Sequence, residues 1–308
     1  MRNVLSLVVS VYNEEQALPM FYKTAKPILD RLDWDYELLF VNDGSQDGSR
    51  QIIEELAGQD DRVKMVCFSR NFGHEAAMIA GIDYASGQAV ICMDADLQHP
   101  PQCIPEILAK IEAGYGVVSM VRTRNASAGL IKNITSAGFY KLINTVSDVK
   151  FEANASDFFA LSEEAADVLR KNYREKVRFL RGYVQNIGFK KTVIEYEAQD
   201  RVAGQSKYSI RKLFAFSMNT IMCFSNLPLR LGIYAGIGAA LLGVAVIIYT
   251  LCTRQGAPSG YATIVVLICF MFAILFVIVG IIGEYIAILF SELKDRPIYI
   301  VEDTKNIK

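Results

Sequence analysis

The chain runs through two hydrophobic periods and then turns uniformly apolar. Residues 4–11, 36–42, 63–68, 89–93 and 117–121 are short, β-branched apolar runs, and they predict strands. Between them, residues 15–32, 48–57, 75–85 and 101–113 carry helical spacing. Continuous apolar strands joined by helices predict an α/β fold, a Rossmann-like, mostly parallel sheet covered on both faces. Residues 157–161 and 191–196 read as further strands. The stretch 122–150 lacks strand character and is basic and Ser/Asn-rich, which suits an active-site segment.

The last third follows neither period. Residues 231–253 and 255–283 hold no charged side chain, and only Arg254 stands between them. A helix through the first would be roughly 35 Å long, against about 30 Å of hydrocarbon in a bilayer. The short, Gly- and Pro-containing turn at 253–260 predicts a two-helix transmembrane hairpin. The expected division is a catalytic domain over 1–206 and amphipathic interface helices over 207–228. The hairpin takes 229–290, with spans about 231–253 and 262–287, and a tail takes 291–308. Lys207, Arg211, Lys212 and Arg230 precede the hairpin; Lys294, Arg296, Lys305 and Lys308 follow it. That bias predicts a multi-pass protein of the cell membrane, with its catalytic domain and both termini cytoplasmic.

Composition narrows the partners. The 308 residues carry a net charge of −1 and no basic stripe interleaved with aromatics, which argues against nucleic acid. Six cysteines without CxxC spacing read as buried reduced thiols, and two histidines leave no basis for a His/Cys zinc cluster.

In such sheets the ligand crevice lies beyond the C-terminal strand ends, and polar clusters fall there after four successive strands. They are Asn13-Glu14-Glu15, Asp43-Gly44-Ser45, Arg70-Asn71 and Asp94-Ala95-Asp96. Two carboxylates two residues apart at a strand end suit Mg2+ or Mn2+, which would bridge diphosphate oxygens. The run from Asp43 to Glu54 has the glycine and glutamate of a calcium-binding EF-hand, but a strand precedes it where that motif needs a helix. It reads instead as a strand-to-helix turn with Asp43 facing a base or ribose. In Arg201-Val202-Ala203-Gly204-Gln205-Ser206-Lys207, Gly and Ser between two cations favour a loop that cradles an anion.

Several segments together resemble family 2 glycosyltransferases of the membrane-anchored polyprenyl-phosphate type, relatives of bactoprenol glucosyltransferases and dolichyl-phosphate mannose synthases. They are Ser10–Glu15, Val41–Ser45, Ser69–His74, Asp94–Pro101, Ser156–Phe158, Arg178–Gly182, Ala203–Tyr208 and Arg296–Tyr299, in order along nearly the whole chain. The resemblance implies a GT-A fold. It implies a nucleotide-sugar site at Val11, Tyr12, Asn13, Glu14, Asp43, Arg70, Gly73 and Asp94, and a metal-diphosphate site at Asp94, Asp96 and Gln98. Arg122, Lys132, Ser136, Arg201, Ser206 and Lys207 would receive the lipid phosphate, and Asp157 takes the position often called the catalytic base, with Asp96 beside it. A lipid phosphate is already anionic near neutral pH, so Asp157 acts either as a base or as an orienting group.

One departure bears on the donor sugar: such relatives carry a tryptophan where this chain has Asn186. The expected reaction is inverting transfer of a hexose, glucose from UDP-glucose, to undecaprenyl phosphate for cell-envelope glycosylation. GDP-mannose-dependent transfer to the same lipid class and a non-catalytic membrane sugar-nucleotide-binding protein are the alternatives. Self-association is compatible with so thin an anchor.

Overall fold

The computed structural model describes residues 3–123, 155–176, 178–197, 227–252 and 260–307. The chain divides into two compact units. Met1–Thr145, Val149–Ala215 and Pro297–Lys308 form one; Val146–Asp148 and Phe216–Arg296 form the other. The amphipathic segment expected at 207–228 lies outside the described residues apart from its last two positions.

In the first unit, strands and helices alternate as β1 (Val4–Val11), α1 (Leu18–Leu29), β2 (Asp35–Asn42), α2 (Ser49–Gln59), β3 (Val63–Phe68), α3 (His74–Tyr84), β4 (Ala89–Asp94), α4 (Ile104–Glu112) and β5 (Val117–Arg122). There follow β6 (Ala155–Ser162), α5 (Glu163–Asn172), α6 (Leu180–Asn186), β7 (Lys191–Tyr196) and, from the far end of the chain, β8 (Val301–Lys305). One eight-stranded sheet results, in the order β7-β5-β6-β4-β1-β2-β3-β8. Its middle, β4-β1-β2-β3, is parallel; β6 runs antiparallel between β4 and β5, and β8 antiparallel along β3. The mostly parallel α/β sheet is as expected.

The helices expected from sequence start within a few residues of their signals, whereas α5 and α6 were not expected. α1 begins at Leu18 rather than 15, because the Glu14 carbonyl takes the Ala17 and Leu18 N–H groups in a preceding turn. Pro101–Cys103 forms a 3-10 turn before α4. Within 291–308, set apart in sequence as a tail, β8 completes the sheet.

Alternation along β1 sorts the layers. Leu5, Leu7, Val9 and Val11 join Leu18 and Phe21 of α1, Ile53 of α2 and Ile107 of α4 in one core, where Phe21 meets Phe40 edge to face at 6.1 Å. The opposite face carries Ser6, Val8 and Ser10, and α3 lies there so closely that a Cβ on Gly81 would sit 2.0 Å from Val8 Cγ1. Seven consecutive residues of α3, Ala76 to Ile82, are buried, because Arg170 of α5 locks its other side. Arg170 Nε and Nη2 donate to the Ile82 and Ala85 carbonyls at 2.7 and 2.8 Å, satisfying carbonyls the helix end leaves unpaired.

Register sets the functional edge. Ser10 pairs with both Val41 and Asp94, and Asn42 with both Val11 and Cys67, so four parallel strands end level. Cys92 pairs with Phe159 on antiparallel β6; two residues further along, the same register sets Asp157 beside Asp94.

In the second unit, α7 (Leu227–Cys252) and α8 (Tyr261–Leu293) approach each other at Gly232, where a Cβ would lie 3.5 Å from Ile278. α8 is 33 residues long, about 50 Å, and continues six residues past the expected span. Among the described residues one segment, Phe270–Leu293, is by itself long and apolar enough to cross a membrane; Leu231–Ala245 is apolar but shorter.

The close approach of α3 makes a prediction about stability. Gly81→Ala should lower the melting temperature, costing about 1–3 kcal/mol, since Val8 is β-branched and fully buried and cannot swing aside. Adding Val8→Ala should recover part of the loss in the same thermal melt. An unchanged melting temperature for Gly81→Ala would refute the tight packing.

Candidate active site

Two interlocked turns form one side of the crevice. Asn13, at φ 56°, accepts the Gln46 N–H through Oδ1 at 2.8 Å, and its own N–H reaches Ser45 Oγ at 3.0 Å. Glu14 N–H donates to Ser49 Oγ at 2.9 Å, and Glu15 Oε2 accepts from Gly48 N–H at 2.8 Å. The turn after β1 and the turn after β2 are therefore one hydrogen-bonded body, with Tyr12 exposed on it.

Asp43 is the hinge to the third turn. It is 2% exposed, and its two oxygens accept Phe72 N–H at 2.6 Å and Gly73 N–H at 2.9 Å. Burial pushes its pKa up, against those two donors. Gly44, at φ +63°, lies so close to the Arg70–Asn71 backbone that a Cβ would meet Arg70 C at 2.4 Å. Glycine is required there twice over, by conformation and by space.

At the other side of the crevice, Asp94 closes β4 and Asp96 sits in the following bend, 5% exposed. Asp96 Oδ1 accepts Gln98 N–H at 3.1 Å, and Leu97 is held at φ +61°. A bulky residue in the left-handed region costs of order 1–3 kcal/mol, and such strain gathers where geometry serves function. His99, fully buried, takes Asp94 N–H on Nδ1 at 3.0 Å and stacks on Phe158 at 5.2 Å. Burial pushes its pKa down, with Asp94 opposing and Arg122 assisting. An accepting Nδ1 requires a neutral ring, and Arg122 Nη2 lies 3.3 Å from the other ring nitrogen, Nε2. Arg122 ends β5 beside it, donating from Nε to Tyr196 Oη at 2.9 Å.

Between these sides stands a cluster of charge. Ser10 Oγ donates to Asp94 Oδ1 at 2.9 Å and lies 3.1 Å from His74 Nδ1. His74 opens α3 with Nδ1 3.5 Å from Asp94 Oδ1 and Nε2 3.5 Å from Asp157 Oδ2. Burial works against its charge, but Asp94 and Asp157 outweigh that and raise its pKa to about 10, so it is an imidazolium bridging two carboxylates. Arg181 of α6 grips Asp157 bidentately, Nε to Oδ1 at 2.5 Å and Nη2 to Oδ2 at 2.6 Å. Burial would raise the Asp157 pKa; Arg181 and His74 overcome it and hold the carboxyl well below its usual range. Glu75, whose Oε1 accepts Leu180 N–H at 3.2 Å, is pushed up to about 7 by burial and by the Asp157 charge.

The structure thus brings Val11, Tyr12, Asn13, Glu14, Asp43, Arg70, Gly73, Asp94, Asp96, Gln98, Arg122 and Asp157 to one sheet edge. Lys132, Ser136, Arg201, Ser206 and Lys207 lie outside the described residues. His74, Glu75 and Arg181 received no role from sequence, although the segments at 69–74 and 178–182 that carry His74 and Arg181 were singled out. Among the described residues no three His, Cys, Asp or Glu side chains are grouped to hold a metal. Two hard carboxylates off one bend are nonetheless the donor set that suits Mg2+ or Mn2+ when diphosphate and water oxygens complete the coordination. A cavity of about 480 Å³ lined by Trp34, Glu112, Tyr115 and Lys190 opens at the opposite ends of the strands, away from this chemistry.

Comparison with other proteins agrees with the geometry. Residues 6–169 match glycosyl transferase family 2, and residues 227–289 match the GtrB C-terminal hairpin. The chain is 40% identical over 306 residues to the uncharacterized glycosyltransferase YkcC of Bacillus subtilis, covering 98% of this chain and 94% of that one. It is equally 40% identical over 306 residues to the bactoprenol glucosyl transferase of Shigella phage SfV, covering 98% and 99%. A mycobacterial protein of solved crystal structure shares the fold at 18% identity, with a TM-score of 0.50 over 72% of this chain and 73% of that one. With a catalytic-domain match over more than half its length and relatives aligned end to end, the chain belongs to glycosyl transferase family 2.

Proposed function

We propose that the protein transfers glucose from UDP-glucose, with inversion, to undecaprenyl or another polyprenyl phosphate at the cytoplasmic leaflet, supplying a lipid-linked sugar for cell-envelope glycosylation. The observation that carries the reading is the meeting of Asp94, two residues before Asp96, with the Arg181–Asp157–His74 cluster at one sheet edge. The end-to-end similarity to a bactoprenol glucosyl transferase supports glucose and the lipid acceptor. The hairpin match and the basic residues flanking 229–290 support a two-span anchor with both termini cytoplasmic.

The interlocked turns carrying Tyr12, Asn13, Glu14 and Asp43 hold the nucleoside, and Arg70 and Gly73 lie at its phosphate side. Asp94, Asp96 and Gln98 would hold Mg2+ or Mn2+, which when bound neutralises charge on the departing diphosphate. A phosphate oxygen of the lipid attacks the anomeric carbon as the bond to the diphosphate breaks. That oxygen is already anionic, so no base is needed. Asp157, kept ionised by Arg181, is too weak a base for the task and orients acceptor or sugar instead. Arg122 contributes positive charge for the lipid phosphate, together with Lys132, Ser136, Arg201, Ser206 and Lys207. His74 keeps the two carboxylates from repelling each other.

The whole chain in lipid nanodiscs, given labelled UDP-glucose, polyprenyl phosphate and Mg2+ or Mn2+, should form a glycolipid that a chelator abolishes. A panel including GDP-mannose decides the donor. Asp96→Asn should lower turnover at least about a hundredfold, about 2.7 kcal/mol of lost transition-state stabilisation. Absence of chelator-sensitive product with every donor, or full turnover in Asp96→Asn, would overturn the reading.

Two pH experiments follow. Asp157 has a depressed pKa, so it stays charged throughout the neutral range. Asp157→Asn should therefore reduce kcat while leaving the shape of the pH–rate profile between about pH 5.5 and 8 intact; loss of an acidic limb would mark it as a base. Glu75 has the opposite shift. The folded protein binds its proton more tightly than the unfolded chain, so its favourable contribution is complete below about pH 4.5 and lost as pH rises towards 7. Glu75→Gln should raise stability at pH 8 relative to pH 4.5 by on the order of 2 kcal/mol in thermal melts.

A further inference from the structure

The segment that follows α8 returns to the sheet directly behind the nucleotide-side loop at residues 69–73. Tyr299 stacks on Phe68 with ring centres 5.1 Å apart and planes 11° from parallel. Phe68 in turn meets Phe72 edge to face at 5.7 Å, and Arg70 lies over the Phe72 ring at 4.0 Å. Three aromatic rings and a guanidinium thus form one continuous stack leading into the loop. Next to Tyr299, the Ile300 carbonyl accepts Ser69 N–H at 3.0 Å, where the loop departs from β3.

The β3–β8 register shifts between Cys67 and Phe68. Such irregularities re-aim the side chains beside them. The tyrosine is held from behind: its hydroxyl donates to Asp83 Oδ2 at 2.7 Å, and Arg174 Nη1 binds the same carboxylate. The loop has its other anchor in Asp43, through the Phe72 and Gly73 N–H groups. Phe72 is therefore fixed from two directions, its backbone by Asp43 and its ring by the stack that Tyr299 ends.

We propose that Tyr299 is a positioning residue for the nucleotide-sugar donor, acting through Phe68 and Phe72 on the loop that carries Arg70 and Gly73. The proposal rests on the reading of that loop as part of the donor site. Its chemistry is specific: an aromatic face is needed at 299, and the hydroxyl matters less than the ring, because the stack and not the hydrogen bond reaches the loop. Strand β8 is also tied down independently of the ring, by Lys305 Nζ to the Glu54 carbonyl and by Asn306 Nδ2 to the Ala57 and Val63 carbonyls. Docking of the strand and positioning of the loop can therefore be separated.

The test uses the whole chain in lipid nanodiscs, with UDP binding measured calorimetrically and initial rates measured against donor and acceptor separately. Tyr299→Leu keeps bulk and removes the stack, Tyr299→Phe keeps the stack and removes the hydroxyl, and Asn306→Ala loosens the far end of β8. Tyr299→Leu should raise the UDP Kd and donor KM about tenfold, about 1.4 kcal/mol, with acceptor KM and kcat at saturating donor within about twofold. Tyr299→Phe should stay within about twofold of the unmodified chain, and so should Asn306→Ala.

Unchanged UDP affinity in Tyr299→Leu would overturn the proposal, as would a shift in Asn306→Ala as large as that in Tyr299→Leu. If the unmodified chain binds neither UDP nor GDP, the donor-site reading itself falls. If it binds UDP and Tyr299→Leu is indifferent, only the role of Tyr299 falls.

Discussion

The site depends on bringing carboxylates together at one half-buried sheet edge. Asp94, Asp157 and Glu75 all crowd His74 at one sheet edge, and like charges so placed cost several kcal/mol unless balanced. His74 and Arg181 provide that balance from two different helices, and each makes its contribution only because the fold fixes where its helix begins. α3 starts at His74 after Gly73, whose φ of +100° turns the chain sharply. The other end of α3 is pinned by Arg170. α6 starts one residue before Arg181, with its first N–H held by Glu75. The cationic partners are in effect cantilevered from helices whose far ends lie elsewhere, so catalytic electrostatics and helix packing are one problem here. Glu75 yields where the balance runs out: burial first, and then the Asp157 charge, push its pKa up to about 7.

The parallel strands were legible because burial on both faces forces unbroken β-branched runs, and the polar residues at their ends stand out against that background. Asp94 and Asp96 could be read as a pair because both belong to a single turn. Asp157 could be placed beside them only through the family resemblance, since its position depends on the register of an antiparallel strand more than sixty residues away. Arg181 and His74 escaped assignment for the same reason: a salt bridge between separate elements leaves no periodicity. Asp43 shows a different limit. A carboxylate after a strand looks the same in sequence whether it faces a ligand or takes two backbone N–H groups, and here both oxygens hold Phe72 and Gly73. α5 is a plainer miss. Ser162 caps it by accepting Ala165 N–H, with Glu163 and Glu164 in the first turn and Arg170 and Lys171 in the last, which is an ordinary helix signature.

β8 went unread for a physical reason as well. Val301–Lys305 alternates weakly and carries three charges, and nothing local marks it as a strand. It is one because β3 would otherwise present a row of unpaired backbone groups at the sheet's edge. Its charges suit that position: Glu302 and Asp303 pair with Arg50 of α2 at 2.9 and 3.1 Å. The pairs are well exposed, so they select register more than they add stability.

The consequence is that the catalytic unit is not a contiguous stretch of chain. Met65 pairs with Lys305, 240 positions further along the chain, and two long apolar helices separate β8 in sequence from the rest of its sheet. A contact so distant in sequence forms late, because the entropy of closing the loop is lost before the pairing is gained. Until then β3 is an open edge, and the stack behind the loop at 69–73 lacks its last ring. Cutting the chain near residue 206, where composition suggests that a soluble domain ends, would therefore remove an edge strand along with the hairpin. The sheet of the truncated piece would end on β3, whose even- and odd-numbered residues alike are apolar except Lys64, a surface prone to pair with another chain. Residues 297–308 thus belong to the same fold as the first hundred, and the loop at 69–73 is finished only when they arrive.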